Sequence, residues 1–199
     1  MKNIYLIVAP SGAGKTTITE LLGTKYGFKS IQSYTTRPPR FEGETGHIFI
    51  SNEDLDKLTD IVAFTEFAGN RYCATAQQVE ENDLYVIDPK GVEYFKESYK
   101  GSKQIKIVYI ESDLTTRYER MKKRAEDNGS AYSEAVDHSL KRITNDVSEF
   151  YDYRHHTAQV DYILQNGADT DINTAVNDLY SYIISCEQPS EDKQQEVRV

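Results

Sequence analysis

The sequence predicts an α/β fold, a parallel sheet flanked by helices. Three observations carry that reading. Short apolar runs recur at residues 4–8, 84–88, 105–110 and 161–164. Segments with apolar residues at helical spacing occupy 17–26, 92–99 and 172–186. A glycine-rich turn follows the first apolar run directly. Continuous apolar runs suit strands covered on both faces, and strands alternating with helices imply parallel crossovers.

Taken in order, residues 4–8 are the first, central strand, followed by the turn Pro10-Ser11-Gly12-Ala13-Gly14. The helix over 17–26 places Ile18, Leu21 and Leu22 on one side, and Gly27 supplies its stop. A second strand is expected over 28–34. Residues 33–83 read as a compact insert of short strands and a helix or two, with turn signals at Pro38-Pro39, Gly43, Gly46 and Gly69-Asn70. The core then resumes with the strand at 84–88, a crossover helix over 92–99 and the strand at 105–110. Two charge-rich helices, 113–126 and 133–150, are separated by Asp127-Asn128-Gly129-Ser130 and form an exposed helical lid over 113–157. A strand at 161–164 and a helix over 172–186 complete the core, made of 1–32, 84–112 and 158–186. Residues 187–199 are polar and are predicted to be disordered. The whole reads as one domain, which 199 residues accommodate with a real hydrophobic core.

Charge and cysteine usage narrow the function classes. The formal net charge is -9, against the dominant basic face that nucleic-acid binding needs. The two cysteines, Cys73 and Cys186, are in no metal-ligand spacing, which argues against a disulfide framework or zinc site. The apolar run at the N-terminus is too short for a signal peptide, and no segment approaches the ~20 apolar residues of a membrane span. These features predict a soluble, cytoplasmic protein without nucleic-acid or membrane partners.

Ala9-Pro10-Ser11-Gly12-Ala13-Gly14-Lys15-Thr16 matches the P-loop pattern except that Ala9 stands at its first glycine. Glycines let backbone N–H groups turn inward around phosphate oxygens, the following helix adds its dipole, and Lys15 supplies a point charge. Ser11, Gly12, Ala13, Gly14, Lys15, Thr16 and Thr17 are therefore the candidate ATP-binding loop, with the Thr16 hydroxyl available to Mg2+. Asp88, at a strand end, is a second candidate for organising magnesium. Asp88-Pro89-Lys90-Gly91 also spells the DxxG of GTPases, but no guanine-reading NKxD segment follows a later strand. Arg37 and Arg40, three apart around a proline-stiffened turn, suit a dianionic phosphate. Together these predict a P-loop kinase fold whose insert binds a phosphorylated acceptor.

Ser33-Tyr34-Thr35-Thr36-Arg37-Pro38-Pro39-Arg40 resembles the opening of the acceptor-binding domain of the guanylate kinase family. The similarity extends through the P-loop, Glu66-Phe67-Ala68-Gly69-Asn70-Arg71-Tyr72, Ile87-Asp88-Pro89-Lys90-Gly91-Val92, residues 120–124, Lys141-Arg142 and 162–166, in the family's order. The resemblance implies phosphoryl transfer from ATP to a nucleoside monophosphate, GMP or dGMP, with Mg2+ as cofactor. It assigns Arg37, Arg40 and Tyr72 to the acceptor phosphate, Ser33 and Asp88 to the acceptor's base side, Asn166 to ATP, and Arg124 and Arg142 to a closing lid. Glu66, at a position the family does not use for reading the base, is a further acceptor-side candidate that would compensate for Ala63. Three positions depart from the family. Ala63 stands where an acidic residue reads the guanine edge, Ala74 where a small hydroxyl residue lies near the base, and His47 approximately where a tyrosine holds phosphate.

Phosphoryl transfer needs in-line positioning, magnesium and positive charge on the equatorial oxygens. Lys15, Arg124 and Arg142 are expected to supply the charge. Arg117, Arg120 and Arg124 fall on one side of a helix. The rival readings are a P-loop kinase for another nucleotide or a ribose bisphosphate, and a non-catalytic binding module of the same family. Retention of Gly12, Gly14, Lys15 and Thr16 stands against the second.

Overall fold

A computed structural model of the chain describes residues 1–39, 42–67 and 69–188. Its centre is β1 (Asn3–Val8), in which every residue is buried. Alternation along the strand sends Tyr5 and Ile7 into one core cluster and Ile4, Leu6 and Val8 into the other. β1 lies between β6 (Leu84–Val86) and β7 (Gln104–Glu111), and β7 also pairs with β8 (Tyr162–Gln165), all in parallel. The sheet order is β6-β1-β7-β8.

Helices cover both faces, as a parallel sheet requires. On one side α1 (Lys15–Tyr26) and α8 (Ile172–Glu187) bury Ile18, Leu22, Leu179 and Ile183 against Tyr5, Ile7, Val108 and Ile110. On the other, α4 (Pro89–Ser98) brings Val92 and Phe95 onto Ile4, Leu6 and Tyr109, joined by Phe150 and Tyr153. Phe95 is fully buried, and a side chain of that size contributes roughly 1.5–3 kcal/mol through burial.

The strand expected over 28–34 is divided between two sheets. Ser30 makes a single parallel bridge to Leu84 at the edge of the core sheet. The chain then leaves that edge, and β2 (Ser33–Thr35) opens a second sheet of order β3-β2-β5-β4. Here β3 (His47–Phe49) runs parallel to β2, while β4 (Ile61–Phe67) and β5 (Asn70–Thr75) form an antiparallel hairpin. Two short helices, α2 (Asn52–Leu55) and α3 (Ala76–Glu81), complete the insert. Thr75 caps α3 through a reciprocal pair with Gln78, which ends β5 and starts the helix within one residue.

The segment between β7 and β8 forms α5 (Leu114–Asp127), α6 (Tyr132–Glu149) and α7 (Tyr151–Arg154). Asp113 caps α5 by accepting the Thr116 N–H. Arg117 and Met121 are its buried residues, and Ala135, Ser139, Ile143 and Asp146 those of α6. The closing helix, expected over 172–186, extends by one residue. Glu187 closes α8, and its carboxylate accepts hydrogen bonds from the Lys2 N–H (2.8 Å), Asn3 Nδ2 (2.6 Å) and the Tyr5 hydroxyl (3.1 Å). These three donors fasten the helix end to β1. Residues 189–199 of the expected disordered tail lie outside the described residues.

Candidate active site

β1 ends at Val8, and Ala9 is buried in the core cluster shared with α1, so its methyl group is accommodated. The loop then needs two left-handed turns. Gly12 has φ 78°, and a Cβ there would stand 2.6 Å from the Arg117 carbonyl oxygen. Gly14 has φ 98°, and a Cβ would stand 2.5 Å from Asn166 Nδ2. Only glycine meets both demands. Gly14 is the N-cap of α1, whose first turn carries no acidic side chain. The N–H groups of Lys15, Thr16 and Thr17 therefore open α1 as donors with no partner inside the helix, a site suited to an anion.

Lys15 Nζ donates to the carbonyls of Ala9 and Pro10. Burial pushes its pKa down to about 8; Asp146 opposes that shift, and Arg142 and Arg117 reinforce it. Thr16 and Thr17 are exposed on the first turn of α1. Asn166, 1% exposed, supports the loop from behind: its Nδ2 donates to the Ala13 carbonyl at 2.8 Å. Its Oδ1 is buried without a hydrogen-bond partner.

Lys15 lines a cleft of about 1090 Å³. Ser33, His47, Glu66, Tyr72 and Asp88 line the same cleft, so it joins the P-loop lysine to predicted acceptor residues. Ser33 Oγ and His47 Nδ1 are 3.0 Å apart, and the His47 ring meets Tyr72 edge-on at 5.7 Å. Arg37 is held by Glu44 through two bonds, Nη2 to Oε1 at 2.8 Å and Nη1 to Oε2 at 3.1 Å. Nη1 also reaches the Pro38 carbonyl at 2.8 Å, and the guanidinium lies 5.3 Å from the Phe49 ring centre. Glu44, with Tyr72 adding, raises the Arg37 pKa. Its Nε is buried without a hydrogen-bond partner and the guanidinium lies beside Tyr72; Arg37 is not among the residues that line the cleft. Arg40 lies outside the described residues.

The wall contributed by β4 and β6 is mostly apolar. Ala63, Phe64, Tyr85 and Ile87 line it, with Thr65 and the exposed Glu66 on the same strand. Ala63 and Ala74 are direct neighbours in the β4–β5 ladder, and both are buried. The two departures noted in the sequence thus coincide in space. Asp88 is the N-cap of α4 and accepts the Gly91 N–H at 2.7 Å.

The opposing wall comes from α6. His138, Arg142, Asn145, Asp146 and Glu149 all line the cleft. Of these the sequence reading named only Arg142. The signal was present as a polar stripe at helical spacing, 138, 142, 145, 149, masked by the generally polar composition of the helix. Partial burial, with Asp88 and Asp146 nearby, raises the Glu149 pKa.

The three arginines of α5 have different fates. Arg117, 4% exposed, points to the P-loop, with Nε donating to the Ser11 carbonyl at 2.8 Å. Arg120 donates to the carbonyls of Asn166 (3.0 Å) and Gly167 (3.3 Å), fastening α5 to the end of β8. Arg124 is exposed in the last turn and is not among the residues that line the cleft. Seven residues separate it from Arg117, about 10 Å along the helix axis.

Magnesium prefers oxygen ligands and keeps several waters and substrate phosphates rather than a protein cage. The exposed Thr16 hydroxyl on the first turn of α1 and the Asp88 carboxylate lining the cleft are oxygen donors of the kind such an ion takes. Among the described residues no group of three or more His, Cys, Asp or Glu is arranged to hold a metal without substrate.

Comparison with known proteins places these features in a family. The family model described as guanylate kinase matches residues 1–185. A guanylate kinase of Geobacter sulfurreducens is 30% identical over 195 residues, spanning 92% of this chain and 88% of that protein. One from Nitrosomonas europaea is 28% identical, spanning 92% and 89%. The crystal structure of guanylate kinase from Anaplasma phagocytophilum shares the fold, with a TM-score of 0.62 at 21% identity over 95% of this chain and 87% of that one.

Proposed function

We propose that this chain, which belongs to the guanylate kinase family, transfers the γ-phosphoryl group of ATP to a nucleoside monophosphate, GMP or dGMP. One observation carries the reading. A P-loop and the acceptor-side residues Tyr72 and Ser33 open onto a single cleft, with Arg142 on the wall between them. Arg37 stands beside Tyr72 with its guanidinium held by Glu44.

In this reading the first-turn N–H groups of α1 and Lys15 hold the β and γ phosphates. Arg37, Arg40 and Tyr72 hold the acceptor phosphate, with Glu44 fixing the Arg37 fork so that little side-chain freedom is lost on binding. Ser33, Glu66 and Asp88 face the base and sugar. Arg142 lies where positive charge offsets that of the transferring group, and Arg124 joins it when the lid closes. Thr16 and Asp88 would help hold Mg2+ with the bound nucleotide, and the ion would neutralise phosphate charge. No helix among the described residues is long and apolar enough to cross a membrane, and the proposed nucleotide substrates support a cytoplasmic reaction.

The apolar neighbours Ala63 and Ala74 favour a second possibility for the base alone. With few polar groups to pair a base edge, discrimination between bases is weak, because strong discrimination rests on buried polar groups that the wrong ligand leaves unpaired. The test is ADP release from ATP and Mg2+ with GMP, dGMP, AMP, CMP and UMP in turn, using Lys15→Ala as the control. Turnover with GMP or dGMP, lost in Lys15→Ala, supports the proposal. Turnover with none of the five refutes it.

A further inference from the structure

Ser11 has three polar groups, and each is taken by a residue from the helices between β7 and β8. Its N–H donates to Asp146 Oδ2 at 2.8 Å, and its hydroxyl donates to Asp146 Oδ1 at 3.3 Å. Its carbonyl accepts from Arg117 Nε at 2.8 Å. The hydroxyl also accepts from Arg142 Nε at 3.1 Å. Arg117 Nη2 donates to Asp146 Oδ2, which closes a ring through loop, α6 and α5. The Gly12 α-carbon faces the Arg117 backbone with no room for a methyl group. The P-loop therefore has fixed positions relative to both helices.

Arg117 and Asp146 are 4% and 8% exposed. A buried ion pair of this kind is no more stabilising, as a rule, than apolar side chains of the same volume. Stability alone thus gives no reason for charges here, whereas geometry does. Asp146 sits one turn after Arg142 on the same face of α6. Fixing Asp146 on Ser11 fixes the distance from Arg142 to the phosphate loop.

We propose that Arg117 and Asp146 are positioning residues, which tie α5 and α6 to Ser11 and thereby hold Arg142 at the place where the phosphoryl group transfers. The inference rests on the kinase reading above and assigns neither residue a contact with substrate. An arginine that acts on transferring charge is sensitive to placement, since a displacement of about 1 Å at a reacting centre costs on the order of 100-fold in rate. A shared effect on Arg142 also makes the three residues act as a unit, so their losses do not multiply.

The test compares the parent with Arg117→Met/Asp146→Leu, with Asp146→Asn, and with each of these combined with Arg142→Ala. Melting temperature, kcat and both KM values are measured with ATP, Mg2+ and GMP. The double replacement refills the buried volume with apolar side chains, so its melting temperature stays near that of the parent. Its kcat is expected to fall on the order of 10- to 100-fold, while both KM values change less than about threefold. Asp146→Asn keeps the shape but leaves the buried Arg117 charge uncompensated, so its melting temperature falls; assayed below that temperature, it shows the same kcat and KM pattern with a smaller loss. Adding Arg142→Ala to either variant lowers kcat little beyond Arg142→Ala alone.

Undiminished kcat in the folded double variant overturns the proposal, as does an Arg142→Ala loss that multiplies in full. If the double variant does not fold, Asp146→Asn decides by the same two criteria. Failure of the parent to phosphorylate any nucleoside monophosphate defeats the kinase reading, and this inference with it. Parent turnover with unchanged variants defeats the positioning role alone.

Discussion

Lys15 provides a prediction about protons that can be worked through quantitatively. Its ammonium is desolvated between the loop and α6, and its pKa is pushed down to about 8 from 10.5. In the free protein at pH 9, only about one Lys15 in ten is protonated. A triphosphate with several negative charges favours the ammonium form, so the bound state is protonated throughout this range. Binding of ATP at pH 9 should therefore take up about 0.9 proton, against about 0.1 at pH 7. The measurement is isothermal titration calorimetry of a non-hydrolysable ATP analogue at pH 7, 8 and 9. Buffers of low and high ionisation enthalpy then give the proton count from the difference in heat. Work at or above pH 7 limits interference from Glu149, a carboxyl whose pKa is raised in the same cleft. Uptake that does not rise between pH 7 and 9, or that persists unchanged in Lys15→Met, refutes the assignment. The same shift has a sign for stability. A lysine whose folded-state pKa lies below its unfolded value disfavours the fold when protonated. Its contribution thus becomes more favourable as pH rises from about 8 toward 10.5.

Three further outcomes follow from the geometry. Gly12→Ala forces a methyl group to 2.6 Å from the Arg117 carbonyl oxygen at positive φ. The left-handed backbone alone costs about 1–2 kcal/mol, lowering the melting temperature by about 2–8 °C, with loss of ATP binding by calorimetry. Glu44→Gln removes the charge that fixes the Arg37 fork; the KM for the nucleoside monophosphate should rise about tenfold while that for ATP is unchanged. Arg124→Ala alters an exposed side chain, so stability should change by less than about 0.5 kcal/mol. A kcat loss of about tenfold or more, at unchanged melting temperature, is the result expected if the lid delivers Arg124 to the phosphates.

The parts of the site that are local in sequence were legible there. Residues 9–17 carry their own instructions, because a strand end, two glycines with left-handed φ and a helix start are adjacent in the chain. The α4 cap is equally local, Asp88 and Gly91 being three residues apart, yet the sequence reading misses it, because Asp88 counts there only as a site residue and the helix is expected from 92. The second strand was misjudged because the run from 28 to 34 looks continuous, and nothing local indicates that Ser30 pairs with Leu84 while Ser33 pairs with His47. Asp146 and Arg117 were invisible as a pair, being 29 residues apart on two polar helices whose composition resembles a solvated face.

By itself the sequence determined the alternation of strands and helices, the phosphate loop and the family. Each depends on residue type and short spacing: hydrophobic periodicity, glycine torsions and ordered motifs. Tertiary structure alone decided which charged groups surround the loop. Packing α5 and α6 against β1's end buries Arg117 and Asp146 on Ser11, turns Arg120 onto the end of β8 and leaves Arg124 exposed. Four charged side chains of similar sequence character thereby acquire different roles, because burial and partners are set by contacts between residues far apart in the chain.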